Sequence, residues 1–398
     1  YFSPPHDFQE NMANSEYLTH YYTGNSPRTL LLHDSWQDIG HYIPSYGDIA
    51  IYPDAPFSKK ELFESDYMHY ITEYLSNANI IPLTPSNTNS FRGSPILTHS
   101  FTSKLSLYAS ENLGHEVENV YSELNDKAFF QELVKETIGA EYSTNPKVIP
   151  QNSTRTAVEL TAAQTLESKP FVVIKIADSE IGGSSGQGVL FATSIKQIGH
   201  FLRNTNDTLY ADGNTLATQI MIEPFYPTTF SPSVTFFLAP QEISLLTVNN
   251  QILSGSQFIG STNIIPQQFT NVTEEISATG QKLAEKAHQM GARGFIGFDT
   301  IYTKSDKIIF VECNYRGTGS TIPELTTQRA VNFAENHDWA HWLFIPHVLY
   351  HQIKTPHLSA VIDTLQKLDT LYEGYGNDHT NLDIPRTIIL SPGLFNKE

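Results

Sequence analysis

The chain has 398 residues, of which 39% are hydrophobic and 12% aromatic, so it is globular rather than disordered and long enough for two or three structural units. A formal net charge of −18 argues against a nucleic-acid partner, because phosphate contacts need clustered Lys and Arg. No apolar run approaches the roughly 18 residues of a membrane span, and no secretory leader is visible at Tyr1, so no membrane partner and a cytoplasmic location are expected.

Residues 1–27 are polar and aromatic without a clear period and read as an arm. TLLLHDSW, from Thr29, and IAIYPDAP, from Ile49, are short apolar runs ending in polar residues, as buried parallel strands are. A helical pattern over 58–76 and a third apolar run from Ile80 complete a small α/β unit, placed over 28–117. His33 and Asp34 fall at the C-terminal edge of its first strand, where α/β sheets tend to bind ligands, but by themselves they read as ordinary loop residues. The Pro-, Ser- and Thr-rich stretch 82–103 reads as a loop near the unit boundary.

A second unit, over 118–330, opens with a helix at Asn125-Asp126-Lys127 that Gly139 ends. Lys127 lies in the first turn, where a cation opposes the helix dipole; it reads either as an exposed lysine or as one held there for a ligand. After a helical stretch at 156–168 comes the strand Phe171–Ile176, with Lys175 inside it. A lysine in an apolar strand must pair or reach solvent. The loop Gly182-Gly183-Ser184-Ser185-Gly186-Gln187-Gly188 follows, then the strand Val189–Ala192. Backbone amides of such a glycine hairpin can point at phosphate oxygens, although many glycine hairpins are only flexible turns. A short helix at 195–203, a strand Thr218–Phe225 carrying Glu223, and antiparallel strands at Ser233–Leu238 and Glu242–Val248 come next. Helix 273–290, capped by Thr273 and stopped by Gly291, leads into a hairpin over 294–314.

That hairpin carries the chemistry. A two-residue turn at 304–305 and a four-residue turn at 303–306 give one register, with Asp299 opposite Phe310. Opposed residues share a face, as do residues two apart, so Asp299, Phe310, Glu312 and Asn314 face the same way, and Arg316 joins them if the strand continues. Cys313, the only cysteine, faces the other side and is expected to be buried, with no disulfide. Two carboxylates and an amide oxygen are hard ligands that suit Mg²⁺ or Mn²⁺. The plainer reading is a solvated strand face; Glu312 at the end of the apolar run IIFV, together with Lys175 and the glycine loop, favours the metal.

Here the residues resemble the ATP-grasp superfamily of ATP-dependent ligases, from about Lys127 to Thr321. FVECNYRGTGST looks like its E-x-N-x-R metal segment, GFIGFDTIY like the preceding metal-aspartate strand, FVVIKIADSEIGGSSGQGV like its lysine strand and phosphate loop, and QIMIEPF like its adenine hinge. The resemblance implies an ATP-grasp fold, two α+β subdomains clasping ATP with a lid within 140–217, preceded by an α/β pre-ATP-grasp domain and followed by a helical segment over 331–398. It implies that Lys127 and Lys175 contact ATP phosphates and that Gly182, Gly183, Ser184, Ser185, Gly186 and Gly188 close over them. Glu223 and Phe225 line the adenine site, Asp299, Glu312 and Asn314 hold Mg²⁺, and Arg316 meets the phosphoryl group or the substrate carboxylate. The implied reaction joins a small-molecule carboxylate to an amine through an acylphosphate, in a chain for which a homodimer is allowed. A kinase or carboxylase-like enzyme, or an inactive nucleotide-binding regulator, are the alternatives. Two departures stand out: Lys175 is followed by Ile176 where many members have proline, and no ribose-contacting acid follows the hinge. The tail histidines His337, His341, His347 and His351 are expected in packed helix or at the surface.

Overall fold

The computed structural model describes residues 28–31, 48–51, 79–82, 96–97, 120–178, 188–204, 215–239, 241–254, 257–332, 340–345 and 367–368. The expectations for the 1–27 arm, the 58–76 helix, His33, Asp34, Gly182, Gly183, Ser184, Ser185, Gly186, His337, His347 and His351 lie outside the described residues.

Three sheets are built from the described strands. The first takes β1 (Arg28–Leu31), β2 (Asp48–Ile51), β3 (Asn79–Pro82) and β4 (Ile96–Leu97) in the order β3-β2-β1-β4, every neighbour parallel. The three apolar runs are therefore strands of one parallel sheet. The stretch read as a loop at 82–103 also supplies β4, too short for a two-residue period to be visible.

Helices α1 (Val120–Asn125) and α2 (Lys127–Thr137) come next. Asp126 caps α2, its carboxylate accepting from the Phe129 amide at 2.8 Å, and Gly139 at φ 118° follows the helix end. The chain then builds a small antiparallel sheet from β5 (Lys147–Ile149), β6 (Val172–Ile176), β7 (Val189–Ala192) and β8 (Ile220–Pro224), in the order β5-β8-β6-β7. Helices α3 (Arg155–Ser168) and α4 (Ile195–Asn204) cover one face of it, burying Val158, Ala162, Ile198 and Leu202 against Val172, Ile174, Ile176 and Ile222. Lys175 alternates to the opposite face, which packs near the start of α2.

Past Pro224 the chain crosses to a larger sheet. It contains β9 (Thr228–Phe230), β10 (Pro232–Leu238), β11 (Ile243–Ser254), β12 (Gln257–Thr262), then, after α5 (Thr270–Gln289), β13 (Gly294–Thr303) and β14 (Ile308–Asn314). Helix α6 (Thr321–Asn332) and β15 (Leu343–Phe344) complete it, with strand order β14-β13-β10-β11-β12-β15 and β9 beside β13. Helices α2 and α5 pack on one face, where Phe130, Val134, Ile276 and Leu283 meet Phe236, Ile296, Phe298, Phe310 and Cys313. Four fully buried phenylalanines, Phe130, Phe236, Phe298 and Phe310, anchor this core.

Two helical expectations shift. Helix α5 starts at Thr270, behind a 3-10 turn, so Thr273 lies inside it and donates its hydroxyl to the Thr270 carbonyl instead of capping. Part of the tail read as helix is the edge strand β15. It is held extended because the Trp342 amide donates to Asn263 Oδ1 and the Trp342 carbonyl accepts from the Thr262 hydroxyl. His341, beside it, is exposed.

Candidate functional site

The β13–β14 hairpin differs in register from the expected one, for two reasons. Its loop is three residues, Lys304 to Asp306, with Asp306 at φ 57°, and Thr303 pairs with Lys307. The pairs Tyr302–Ile308, Ile301–Ile309 and Thr300–Phe310 follow. A β-bulge then adds one residue, Val311, so that Asp299 stands directly opposite Glu312 and Gly297 opposite Asn314. Asp299 therefore does not pair with Phe310. Phe310 turns to the helix-covered core, its ring centroid 6.3 Å from that of Phe298, while Asp299, Glu312 and Asn314 share the opposite face. The two one-residue shifts add to a full side-chain period, so the three polar residues stay together and Phe310 leaves them. Cys313 is buried in the core and free, with burial holding its thiol well above the usual range.

Asp299 is held from both sides. Gln251 Nε2 donates to Oδ1 at 2.8 Å and Asn314 Nδ2 to Oδ2 at 3.0 Å. Arg316 donates to Asn314 Oδ1 at 2.8 Å, so a chain of contacts runs Gln251–Asp299–Asn314–Arg316. Burial first, and the Glu312 charge second, push the Asp299 carboxyl up to about 6; Ser233, Arg316 and Asn314 pull the other way. Glu312 behaves oppositely. Burial raises it, but Lys127, then Lys175 and Arg316, outweigh that and hold it below the usual carboxylate range.

Lys127 is not exposed: it is buried at the start of α2, and its Nζ lies 3.2 Å from Glu312 Oε1. Its unfavourable place in the helix dipole is offset by this pair. Lys175 is likewise buried, with Nζ 2.7 Å from Glu223 Oε2. Register explains the contact, since Val173 pairs with Glu223 and Lys175 with Met221, so Lys175 and Glu223 share the face of the small sheet turned away from α3 and α4. The Thr144 hydroxyl lies 2.8 Å from Glu223 Oε1. Phe225, just past β8, is half-exposed and packs edge-on to Phe191 and tilted against Phe171, at 5.9 and 5.5 Å between centroids. Of the glycine loop, Gly188 is described; its carbonyl accepts from the Ile176 amide at 3.0 Å, which brings the loop's end beside Lys175.

The structure thus brings Lys127, Lys175, Glu223, Asp299, Glu312, Asn314 and Arg316 around the space between the two sheets. No cluster of three or more His, Cys, Asp or Glu is found among the described residues. The donor set here is two carboxylates and one amide oxygen, all hard, which fits a divalent cation that fills its remaining positions with phosphate oxygens and water. An ion there would also offset the burial and the Glu312 charge that raise Asp299. Sequence reading missed Gln251, Thr144 and Gln131. Gln251 lies beyond the end expected for its strand. Gln131 left a trace, a polar residue one turn from Lys127 on the buried stripe of α2.

No protein-family model matches the chain. The butirosin acyl-carrier-protein–L-glutamate ligase of Niallia circulans is 28% identical over 144 residues, 35% of this chain and 32% of that relative. The match thus spans about a third of the length of the curated relative. Among solved structures, the ADP complex of purK, an N5-carboxyaminoimidazole ribonucleotide synthetase, aligns with a TM-score of 0.54 at 12% identity, over 91% of each chain. The biotin carboxylase domain dimer of the Hydrogenobacter thermophilus 2-oxoglutarate carboxylase, in complex with MgADP, ADP and bicarbonate, gives 0.50 at 11% identity, over 80% of this chain and 73% of that one. At these identities the likeness is one of fold. No helix among the described residues is long and apolar enough to cross a membrane.

Proposed function

We propose that this chain, which has the ATP-grasp fold, is an ATP- and Mg²⁺-dependent ligase that joins a carboxylate to an amine. The observation that carries the reading is the convergence of two opposed carboxylates, Asp299 and Glu312, with Asn314, Arg316 and two buried lysines. Acidic ligands on one sheet and cations arriving from α2 and β6 are what a nucleoside triphosphate and its metal require.

In this reading residues 118–330 form the catalytic unit and 28–117 the pre-ATP-grasp domain. Asp299, Glu312 and Asn314 hold Mg²⁺, which supplies neutralisation of charge developing on the phosphates. Lys127 and Lys175 add positive charge from the two sides of the cleft. Gly182 to Gly188 cover the phosphates and exclude water, and Glu223 and Phe225 border the adenine. A substrate carboxylate oxygen attacks the γ-phosphorus, the β–γ bridging bond breaks and ADP leaves. The amine nitrogen then attacks the acyl carbon, the carbon–oxygen bond to phosphate breaks, and the nitrogen gives up one proton. Arg316 is placed to meet the phosphoryl group or the acid being activated.

The name of the curated relative makes L-glutamate the first carboxylate to try and an acyl-carrier protein an acceptor to set beside amines. The chain is proposed to act in the cytoplasm, and as a homodimer, which light scattering on the purified protein tests. The function is tested by ADP release from Mg-ATP with amino acids, L-glutamate first, and amine mixtures. Release that requires both substrates supports the ligase. A stable phosphorylated product without amine would instead mark a kinase, and binding of Mg-ATP without ADP release under any mixture would remove the catalytic reading.

A further inference from the structure

The bulge that sets Glu312 opposite Asp299 lies on β14, the end strand in the order of the large sheet. Carbonyls on the outer side of such a strand need partners from beyond the sheet; Ser143 bridges Phe310 there, and a side chain from helix α2 adds hydrogen bonds at the bulge. Gln131 Nε2 donates to the Phe310 carbonyl at 2.9 Å and to the Val311 carbonyl at 3.3 Å, across a separation of 179 and 180 residues. The same amide reaches the other way. Gln131 Oε1 accepts from the Ser143 hydroxyl and the Thr144 amide, each at 2.8 Å, and lies 3.0 Å from the Thr144 hydroxyl. That hydroxyl also lies 2.8 Å from Glu223 Oε1, the partner of Lys175. Gln131 is fully buried, and both of its amide hydrogens and its oxygen are engaged.

Gln131 also follows Lys127 by one helical turn, so one helix face presents the cation on Glu312 and the amide on the bulge beneath it. One polar path therefore joins the Lys175–Glu223 pair of the small sheet, through Thr144 and Gln131, to the strand segment that carries Glu312. A leucine or methionine would fill the same space in an apolar core. A buried amide with every group satisfied is a costly substitute unless geometry is what it secures.

We infer that Gln131 is a positioning residue: it fixes the bulge at Val311 so that Glu312 and Asp299 face one metal position, and it ties that position to the Lys175–Glu223 pair through Thr144. This rests on the metal and nucleotide reading above. It adds that metal affinity is set by a residue that touches neither metal nor nucleotide.

The test is the affinity of the full chain for ADP measured with and without Mn²⁺, by competition against a fluorescent ADP analogue. The wild type binds ADP more tightly with Mn²⁺. Gln131→Met, close in shape, keeps metal-free ADP affinity within about threefold but loses about tenfold of the metal-dependent tightening. A variant that only loosened the fold would weaken both measurements together. Thr144→Val, a smaller change that leaves Gln131 on the bulge, weakens metal-free ADP binding several-fold and keeps the metal-dependent ratio. If Gln131→Met retains the wild-type ratio while ADP binds normally, the inference falls and the ligase reading stands. If the wild type shows no Mn²⁺-dependent ADP binding, both fall. If Thr144→Val binds ADP as the wild type does, the link between the two sheets falls, even where Gln131→Met fails to fold.

Discussion

Lys175 and Glu223 sit on neighbouring strands of the small sheet, 2.7 Å apart, with side chains 7% and 3% exposed. Lys127 and Glu312 join α2 to the large sheet at 3.2 Å, with exposures of 5% and 31%. Both are lysine–glutamate pairs in one cleft, yet they differ in burial. Around Glu223 the Thr144 hydroxyl adds to the lysine, whose charge also reaches Glu312. Around Glu312 there is one acid more, Asp299 directly opposite, and burial first, with the Glu312 charge second, raises the Asp299 carboxyl to about 6. The more buried pair holds its neighbours in place; the more exposed pair, with a surplus carboxylate beside it, can accept a cation. The first is proposed to serve the architecture between β6 and β8 as well as phosphate contact, and the second to serve the metal.

The comparison breaks most visibly if the more buried pair is opened. Lys175→Met leaves Glu223 buried without its cation and is expected to destabilise the chain by about 3–5 kcal/mol. Lys127→Met leaves an acid that water can reach, and its cost should be nearer 1 kcal/mol. Equal midpoints for the two variants in urea unfolding would erase the distinction. Next in size, Glu312→Gln should lower ADP-forming turnover by about 100-fold or more, and, because it leaves the buried Lys127 without its anion, lower the thermal midpoint as well. Full turnover in that variant would remove Glu312 from the metal set.

A smaller effect comes from pH. Asp299 is raised in the folded chain above its ordinary value of 3.8, to about 6. Its contribution to stability is therefore present below about pH 4 and is lost as pH rises through about 6, where ionisation places two charges side by side. Asp299→Asn cannot ionise, so metal-free protein carrying it should melt higher than the wild type at pH 7.5, with the gap closing toward pH 4. Scanning calorimetry at the two values reads this; a gap that grows on acidification would reverse the sign. Cys313→Ala sharpens the contrast between faces. It trims the core side of β14 and should cost about 1 kcal/mol in stability with ADP binding unchanged.

Element order was legible because long periodic or alternating runs dominate this chain. Helix α2, β6, β7 and α4 all fall within a residue or two of where periodicity and caps put them. Asp299, Glu312 and Asn314 were also found as polar interruptions of apolar strands, and the face they share was anticipated. The register that produces it was not. Asp306 tolerates the left-handed conformation of a three-residue loop, but so would a shorter or longer turn built from the same residues. Gln131, which donates to the Phe310 carbonyl beside the bulge, lies 179 residues away, and no local pattern reveals that contact. Lys127 looked exposed for the same reason, because its partner Glu312 arrives only when the large sheet forms. The strand at Leu343–Phe344 is set by Trp342, whose indole donates to the buried Glu324 and whose backbone is tied to Asn263 and Thr262. The aromatic and His-rich composition there suggested packed helix, but tertiary hydrogen bonds decided the outcome.

The central claim is that Asp299, Glu312 and Asn314 hold a divalent ion shared with a nucleotide. Electron paramagnetic resonance of Mn²⁺ titrated into the purified chain, with and without ADP, tests it directly. The account predicts a Mn²⁺ site that tightens when ADP is present and weakens at least about tenfold in Glu312→Gln. Equal Mn²⁺ binding by Glu312→Gln and the wild type, with ADP bound to both, would contradict it.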